Sequence, residues 1–164
     1  MGCDIHMYVE YKSFDDKYTD WHCGDYFQID DPVTDKPAIK RIELSGDRDY
    51  DLFAVLADVR NYDLVDYIAE PKGLPNDATE FVKREYSDWA GDAHSCSYFT
   101  LQELIEYQEE NNPVDFLGHS ILQPLIDKLK QRANDLNLIW DFEWKKDSVH
   151  EKANYIRIVF WFDN

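Results

Sequence analysis

Two short segments of the chain carry the side chains best suited to chemistry at one site. The first is the N-terminal run at 1–10, in which Asp4 and His6 are two residues apart. Side chains alternate between the two faces of a β-strand, so this spacing turns a carboxylate and an imidazole to the same side. Both groups are common ligands of divalent metal ions. The pair therefore predicts a metal site or an acid–base site.

The second segment repeats the same kinds of ligand in mid-chain, with Asp92, His94 and Cys96 again two residues apart. If the two segments meet, His94 supplies a third ligand and Cys96 or Asp92 a fourth, a set that suits a divalent metal such as zinc. Asp92 or Glu10 would then orient the ligands or act as the base for a metal-bound water. These residues give the hypothesis of a metal-dependent hydrolase.

Few cationic side chains are available to hold an anionic substrate. Arg48, Arg60 and Lys72 lie near predicted helix ends and the proline-containing loop at 70–75. There they could bind the charged part of a small phosphate- or amide-containing substrate. The simpler interpretation is that each cation pairs with a surface acid.

The three cysteines offer a rival chemistry. Together with His22, Cys3, Cys23 and Cys96 would form a thiolate-rich zinc site, and Cys96 beside a histidine would resemble a nucleophile pair. In a regular strand, however, Cys3 points away from the polar face, and the chain has no Cys-x-x-Cys motif. We expect buried, unreactive thiols in a reducing cytoplasm.

The charge of the chain bears on its partners. It has 34 acidic against 17 basic side chains, a formal net charge of −17. Such a surface repels phosphate backbones, which disfavours direct nucleic-acid binding, and it suits a basic partner. No apolar run approaches the roughly 18 residues needed to span a bilayer, and no secretion signal is visible, so we expect a cytoplasmic protein.

The length and pattern of the chain predict one α+β domain over residues 1–164, with 44% hydrophobic residues to fill a core. Alternation predicts strands at the N-terminus, at 21–29 and at 38–44, and a C-terminal β-hairpin of 138–145 and 156–162. About four helices, packed on one face of a mostly antiparallel sheet, follow from amphipathic runs. Their predicted starts are Asp47 or Asp49, Asp77, Thr100 and the turn that contains Pro124.

Five segments also permit a comparison with a known family: Met-Gly-Cys-Asp-Ile-His at 1–6, Tyr-Asp-Leu-Phe-Ala-Val-Leu-Ala-Asp-Val-Arg-Asn at 50–61, Glu-Pro-Lys-Gly-Leu-Pro at 70–75, Asp-Ala-His-Ser at 92–95 and Phe-Trp-Phe-Asp-Asn at 160–164. On these segments the chain resembles a family of small uncharacterised proteins encoded mostly by bacteriophages and prophages. Similar sequences read His-Ser-His where this chain has His94-Ser95-Cys96, and Cys is also a competent zinc ligand.

The resemblance implies action inside a bacterial host cell, where a host defence is a candidate target. It leaves two hypotheses open. One is the metal-dependent hydrolase with a small-molecule substrate. The other is a non-enzymatic accessory protein that presents its acidic surface to a host bacterial protein, or that sequesters a small signalling molecule.

Overall fold

A computed structural model describes residues 2–12, 20–136 and 153–164. It contains four helices and two antiparallel sheets, which confirms the α+β class predicted from the sequence. The strands are β1 Asp4–Tyr11, β2 His22–Cys23, β3 Tyr26–Asp30, β4 Pro37–Arg41, β5 His94–Thr100 and β6 Ile156–Asp163. The helices are α1 Tyr50–Ala57, α2 Glu80–Asp88, α3 Leu101–Asn111 and α4 Gln123–Asp135.

The main sheet has the strand order β2-β1-β6-β5. The C-terminal strand β6 is central, and it pairs with β1 from Asp4↔Asp163 to Tyr11↔Ile156. On its other side β6 pairs with β5. The strand predicted over 156–162 is therefore confirmed, and its two neighbours are β1 and β5. The other half of the predicted hairpin, at 138–145, lies outside the described residues.

The two faces of the main sheet are covered by different helices. On the larger face, alternate residues of β1 and β6 such as Met7 and Phe160 join a core that also takes in α1, α3 and α4. On the smaller face, Tyr8 and Trp161 pack with Val82 of α2. Three helices thus share one face as predicted, whereas α2 lies on the opposite face because its buried side chain packs there.

The helix starts follow local capping chemistry. The Asp49 carboxylate accepts from Leu52 N at 3.1 Å and caps α1, and Thr100 and Glu103 form the predicted capping box of α3. The prediction that Asp77 caps α2 is wrong, since Thr79 is the cap. Asp77 instead accepts hydrogen bonds from side chains of other segments, a competition that local sequence cannot show.

One predicted strand is split in two. The run at 21–29 turns at Asp25, whose buried carboxylate accepts from Val9 N at 3.1 Å and from Arg132 Nη1 at 2.8 Å. After this turn, β3 and β4 form a separate two-stranded sheet. Within the described ranges, no helix has the length and apolar character that crossing a membrane requires.

Candidate functional site

Asp4 and His6 lie on one face of β1, as their spacing predicts, but the carboxylate of Asp4 is already engaged. Arg48 donates from Nε to one oxygen of Asp4 and from Nη2 to the other, the latter at 2.8 Å. This guanidinium lowers the pKa of Asp4 below its usual value. Gly2 leaves room for Arg48, because a Cβ at that position would clash with the guanidinium.

The His6 ring is held by the other end of the chain. Its Nε2 lies 3.1 Å from Asp163 Oδ2, and its ring centroid is 4.2 Å from that of Trp89 and 5.8 Å from that of Trp161. The same Asp163 carboxylate accepts from the backbone N–H of Asp4 at 3.2 Å. The imidazole therefore connects β1 to β6 and packs against the indole rings of Trp89 and Trp161.

His94 lies on the other face of the sheet from His6. It pairs with Phe162, whose side chain enters the larger core, and the two ring centroids are 6.0 Å apart. His6 pairs with Trp161, which points to the smaller core. Successive strand residues alternate in direction, so the register separates the two imidazoles by the thickness of the sheet.

A bulge in β5 explains why Cys96 and His94 lie on opposite faces of the sheet. The register shifts between His94 and Ser97, and Ser95 takes a positive φ of 51°. Cys96 consequently turns into the smaller core with Tyr8 and Val82. Burial there raises the pKa of its thiol to about 12.

The expected inert thiols are consistent with the structure. Cys3 is also buried, and burial raises the pKa of Cys3 above its usual value and that of Cys23 to about 11. Thiols with raised pKa values are poor nucleophiles and poor metal ligands at neutral pH. Cys23 is only partly buried, however, and the Arg60 guanidinium beside Cys3 opposes the effect of burial on its pKa without cancelling it.

Across residues 2–12, 20–136 and 153–164, no group of three or more His, Cys, Asp or Glu side chains is arranged to hold a metal ion. The structure thus brings Asp4 and His6 to one face, which Cys96 shares without completing a ligand group, and it places His94 on the other face. The hydrolase stays a prediction without a ligand set in this part of the chain.

The two residues predicted as bases have different environments. Glu10 is fully buried, where Arg157 Nε donates to its Oε2 at 2.8 Å and Thr79 N to its Oε1 at 2.7 Å. Six residues separate it from Asp4 along β1, or roughly 20 Å. Asp92 is exposed in the turn after α2. Glu10 is a structural carboxylate that joins β1, β6 and the start of α2.

The predicted substrate-binding cations are engaged within the protein. Arg60 donates from Nη1 to the Tyr62 hydroxyl at 3.3 Å and from Nη2 to Asn164 Oδ1 at 3.4 Å. Lys72 Nζ lies 3.3 Å from Glu103 Oε1 and 4.2 Å from the centroid of the Tyr98 ring. Arg48 and Lys72 thus pair with acids, as the simpler interpretation expects, whereas Arg60 donates to a hydroxyl and an amide oxygen.

The negative charge is concentrated on two segments that are neighbours in space. Residues 49–70 and 101–120 hold eleven acidic side chains and a single basic one, Arg60. The segments meet where the Tyr107 hydroxyl donates to the Asp66 carbonyl at 2.9 Å. Burial and then the charges of Asp49, Asp63 and Asp115 raise the pKa of Asp51. We call the exposed surface of these two segments the acidic face.

Large apolar side chains project from the acidic face into solvent. Leu64 is 87% exposed and Phe116 is 86% exposed, and their neighbours Tyr62 and Leu117 are 70% and 64% exposed. Each pair flanks or follows one of the aspartates that act on Asp51. The sequence shows the clustered acids, but Tyr62 and Leu64 alternate like strand residues and give no signal that they are exposed.

Comparison of the chain with protein-family models, with curated proteins and with solved structures finds no match. The functional interpretation therefore depends on the geometry of this molecule.

Proposed function

We propose that this protein is a non-enzymatic binding protein whose acidic face docks onto a basic surface of another protein. The observation that carries the proposal is the concentration of eleven carboxylates and one cation on two adjoining segments. A surface of one sign attracts and orients a partner of the opposite sign. It repels nucleic acids and anionic lipid surfaces.

The resemblance to phage and prophage proteins makes a host bacterial protein, such as a defence factor, the candidate partner. A cytoplasmic site of action belongs to the same proposal. The hydrolase has less support, because His94 and Cys96 lie on opposite faces of the sheet and Asp4 is paired with Arg48. Sequestration of a small molecule is likewise less supported than docking of a protein.

The proposal predicts salt-sensitive capture of a bacterial protein by the immobilised chain. Raising the salt from about 50 mM to about 500 mM shortens the reach of surface charges several-fold and should release the partner. A variant that neutralises Asp63, Glu109 and Glu110 on the acidic face should capture much less of it. These three side chains are exposed.

The matched control neutralises three exposed carboxylates elsewhere, at Asp30, Asp88 and Asp92. It changes the net charge by the same amount, so any difference reports the location of the charge. Capture that resists salt, or that falls equally in both variants, would contradict the proposal.

A further inference from the structure

We infer that the apolar side chains of the acidic face are its anchor, and that the occupant is a protein segment carrying large apolar residues flanked by Lys or Arg. This inference rests on the proposed function and names the chemistry of its partner. The anchor consists of two pairs of residues: Tyr62 and Leu64 flank Asp63, Phe116 and Leu117 follow Asp115, and the charges of both aspartates act on Asp51.

The exposure of these side chains is costly unless something covers them. A leucine or phenylalanine exposed to water forgoes the favourable free energy that burial of its apolar surface would provide. Leu64 and Phe116 each expose more than four-fifths of their surface. Apolar groups clustered within charged surroundings are typical of protein-interaction sites.

The backbones of the two loops are held in place by their own hydrogen bonds. The Asn61 side chain donates to the Val65 carbonyl at 2.8 Å and accepts from Val65 N at 2.9 Å, which closes the loop around Leu64. The Asp115 carboxylate accepts from Leu117 N at 2.8 Å and His119 N at 2.9 Å. A loop backbone that is already fixed loses little conformational entropy on binding.

Charge decides the kind of segment that fits. Asp63 adjoins Leu64, and Asp115 adjoins Phe116, so a covering segment must bring positive charge beside its apolar residues. Lys and Arg satisfy this requirement, whereas an acidic or purely apolar segment would bury the Asp63 carboxylate without a counter-charge. The carboxylates should set the rate of association, and the apolar contacts should set the rate of dissociation.

The β3–β4 hairpin offers a matched comparison. Val33 is 89% exposed and Ile39 is 75% exposed, similar to the anchor. Residues 26–42 contain three acidic and three basic side chains, so this apolar surface lacks the negative surroundings. It should not select a cationic partner.

The test uses two synthetic peptides of equal charge, one alternating Leu with Lys in an amphipathic pattern and one with Ser in place of Leu. Binding to the full chain is measured by calorimetry at two salt concentrations. The Leu–Lys peptide should bind at least about tenfold more tightly than the Ser–Lys peptide, because burying one or two leucines supplies that difference.

Variants then separate the inference from the proposed function. The double substitution Leu64→Ser and Phe116→Ser should remove the preference for the Leu–Lys peptide and leave the salt dependence unchanged. The double substitution Val33→Ser and Ile39→Ser should leave the preference for the Leu–Lys peptide and the salt dependence unchanged. Circular dichroism of each variant checks that the fold is intact.

Each other outcome has a defined meaning. If salt weakens binding but the anchor variant keeps the preference, the inference is overturned and the acidic binding function stands. If neutralising Asp63, Glu109 and Glu110 does not weaken the binding of the peptides, the proposed function fails as well. If the anchor variant changes the mass of the protein in solution by light scattering, the anchor covers a second copy of this chain, which also overturns the inference.

Discussion

Charged side chains have opposite environments in the scaffold around the main sheet and on the acidic face. In the scaffold around the main sheet, Glu10 of β1 is buried with Arg157 of β6, and Asp25 of the turn before β3 is buried with Arg132 of α4. On the acidic face, the eleven carboxylates far outnumber the one basic side chain of their own segments, and those of Asp63, Glu109 and Glu110 are exposed to water. The comparison shows that pairing and burial come together in the scaffold, while the unpaired charge is kept where a partner can reach it.

The difference has an energetic basis. A buried carboxylate without a partner costs several kcal/mol, so the scaffold tolerates acids only beside arginines. Exposed like charges repel one another weakly and are screened by salt. Losing one arginine should therefore damage the scaffold far more than any single change on the acidic face.

The largest effect is expected for Arg157→Met. It leaves Glu10 buried without its guanidinium and should lower the free energy of unfolding by about 3–5 kcal/mol in urea titrations. Arg48→Met removes the exposed arginine from Asp4 and serves as the control, with a much smaller expected loss. Equal losses in the two variants would contradict the assignment of Glu10 as a scaffold carboxylate.

A pH dependence is expected from Asp25. Burial raises its pKa to about 6 from an ordinary 3.8, so the folded protein holds the proton more tightly than the unfolded chain. The stability from this group is complete below about pH 4 and is lost as the pH rises through 6. Unfolding in urea between pH 4 and pH 7 should show this loss in the wild type.

The Asp25→Asn variant provides the reference for that measurement, because it cannot titrate at this position. Subtracting its stability curve from that of the wild type removes the contributions of the other acids. A difference that does not change between pH 4 and pH 7 would show that Asp25 keeps an ordinary pKa.

A smaller effect is expected on the acidic face. Asp63→Asn removes one of the charges that repel Asp51 and should raise the midpoint of thermal unfolding by about 1 °C at low salt. The gain should disappear at high salt, where the wild type is already screened. Asp88→Asn is the exposed control outside this face. A gain that persists at high salt would argue against charge repulsion.

The smallest effect is expected from removing metal. Because the proposed ligands lie on different faces, dialysis against a chelator should leave the unfolding midpoint unchanged, and elemental analysis should find substoichiometric metal. The hydrolase hypothesis predicts the opposite: stoichiometric metal that is lost in His6→Ala and in His94→Ala. Calorimetric titration measures zinc binding to the wild type, His6→Ala and His94→Ala.

Local rules predicted much of the fold. The alternation that turns Asp4 and His6 to one side is a property of any strand, and Asp49 and Thr100 cap their helices with bonds to residues three positions away. These local rules do not predict which face of the sheet His94 and Cys96 take. A bulge at Ser95 decides which face each neighbour takes, and no residue type at this position signals it.

The sequence by itself determined the strand and helix patterns, the absence of paired cysteine motifs and the large negative charge. Only the tertiary structure decided which carboxylates are neutralised and which stay exposed. Glu10 meets Arg157 across 147 positions of the chain, and Asp25 meets Arg132 across 107. The cost of burying a charge depends on neighbours in space, and such neighbours come from segments whose separation in sequence carries no record of their contact.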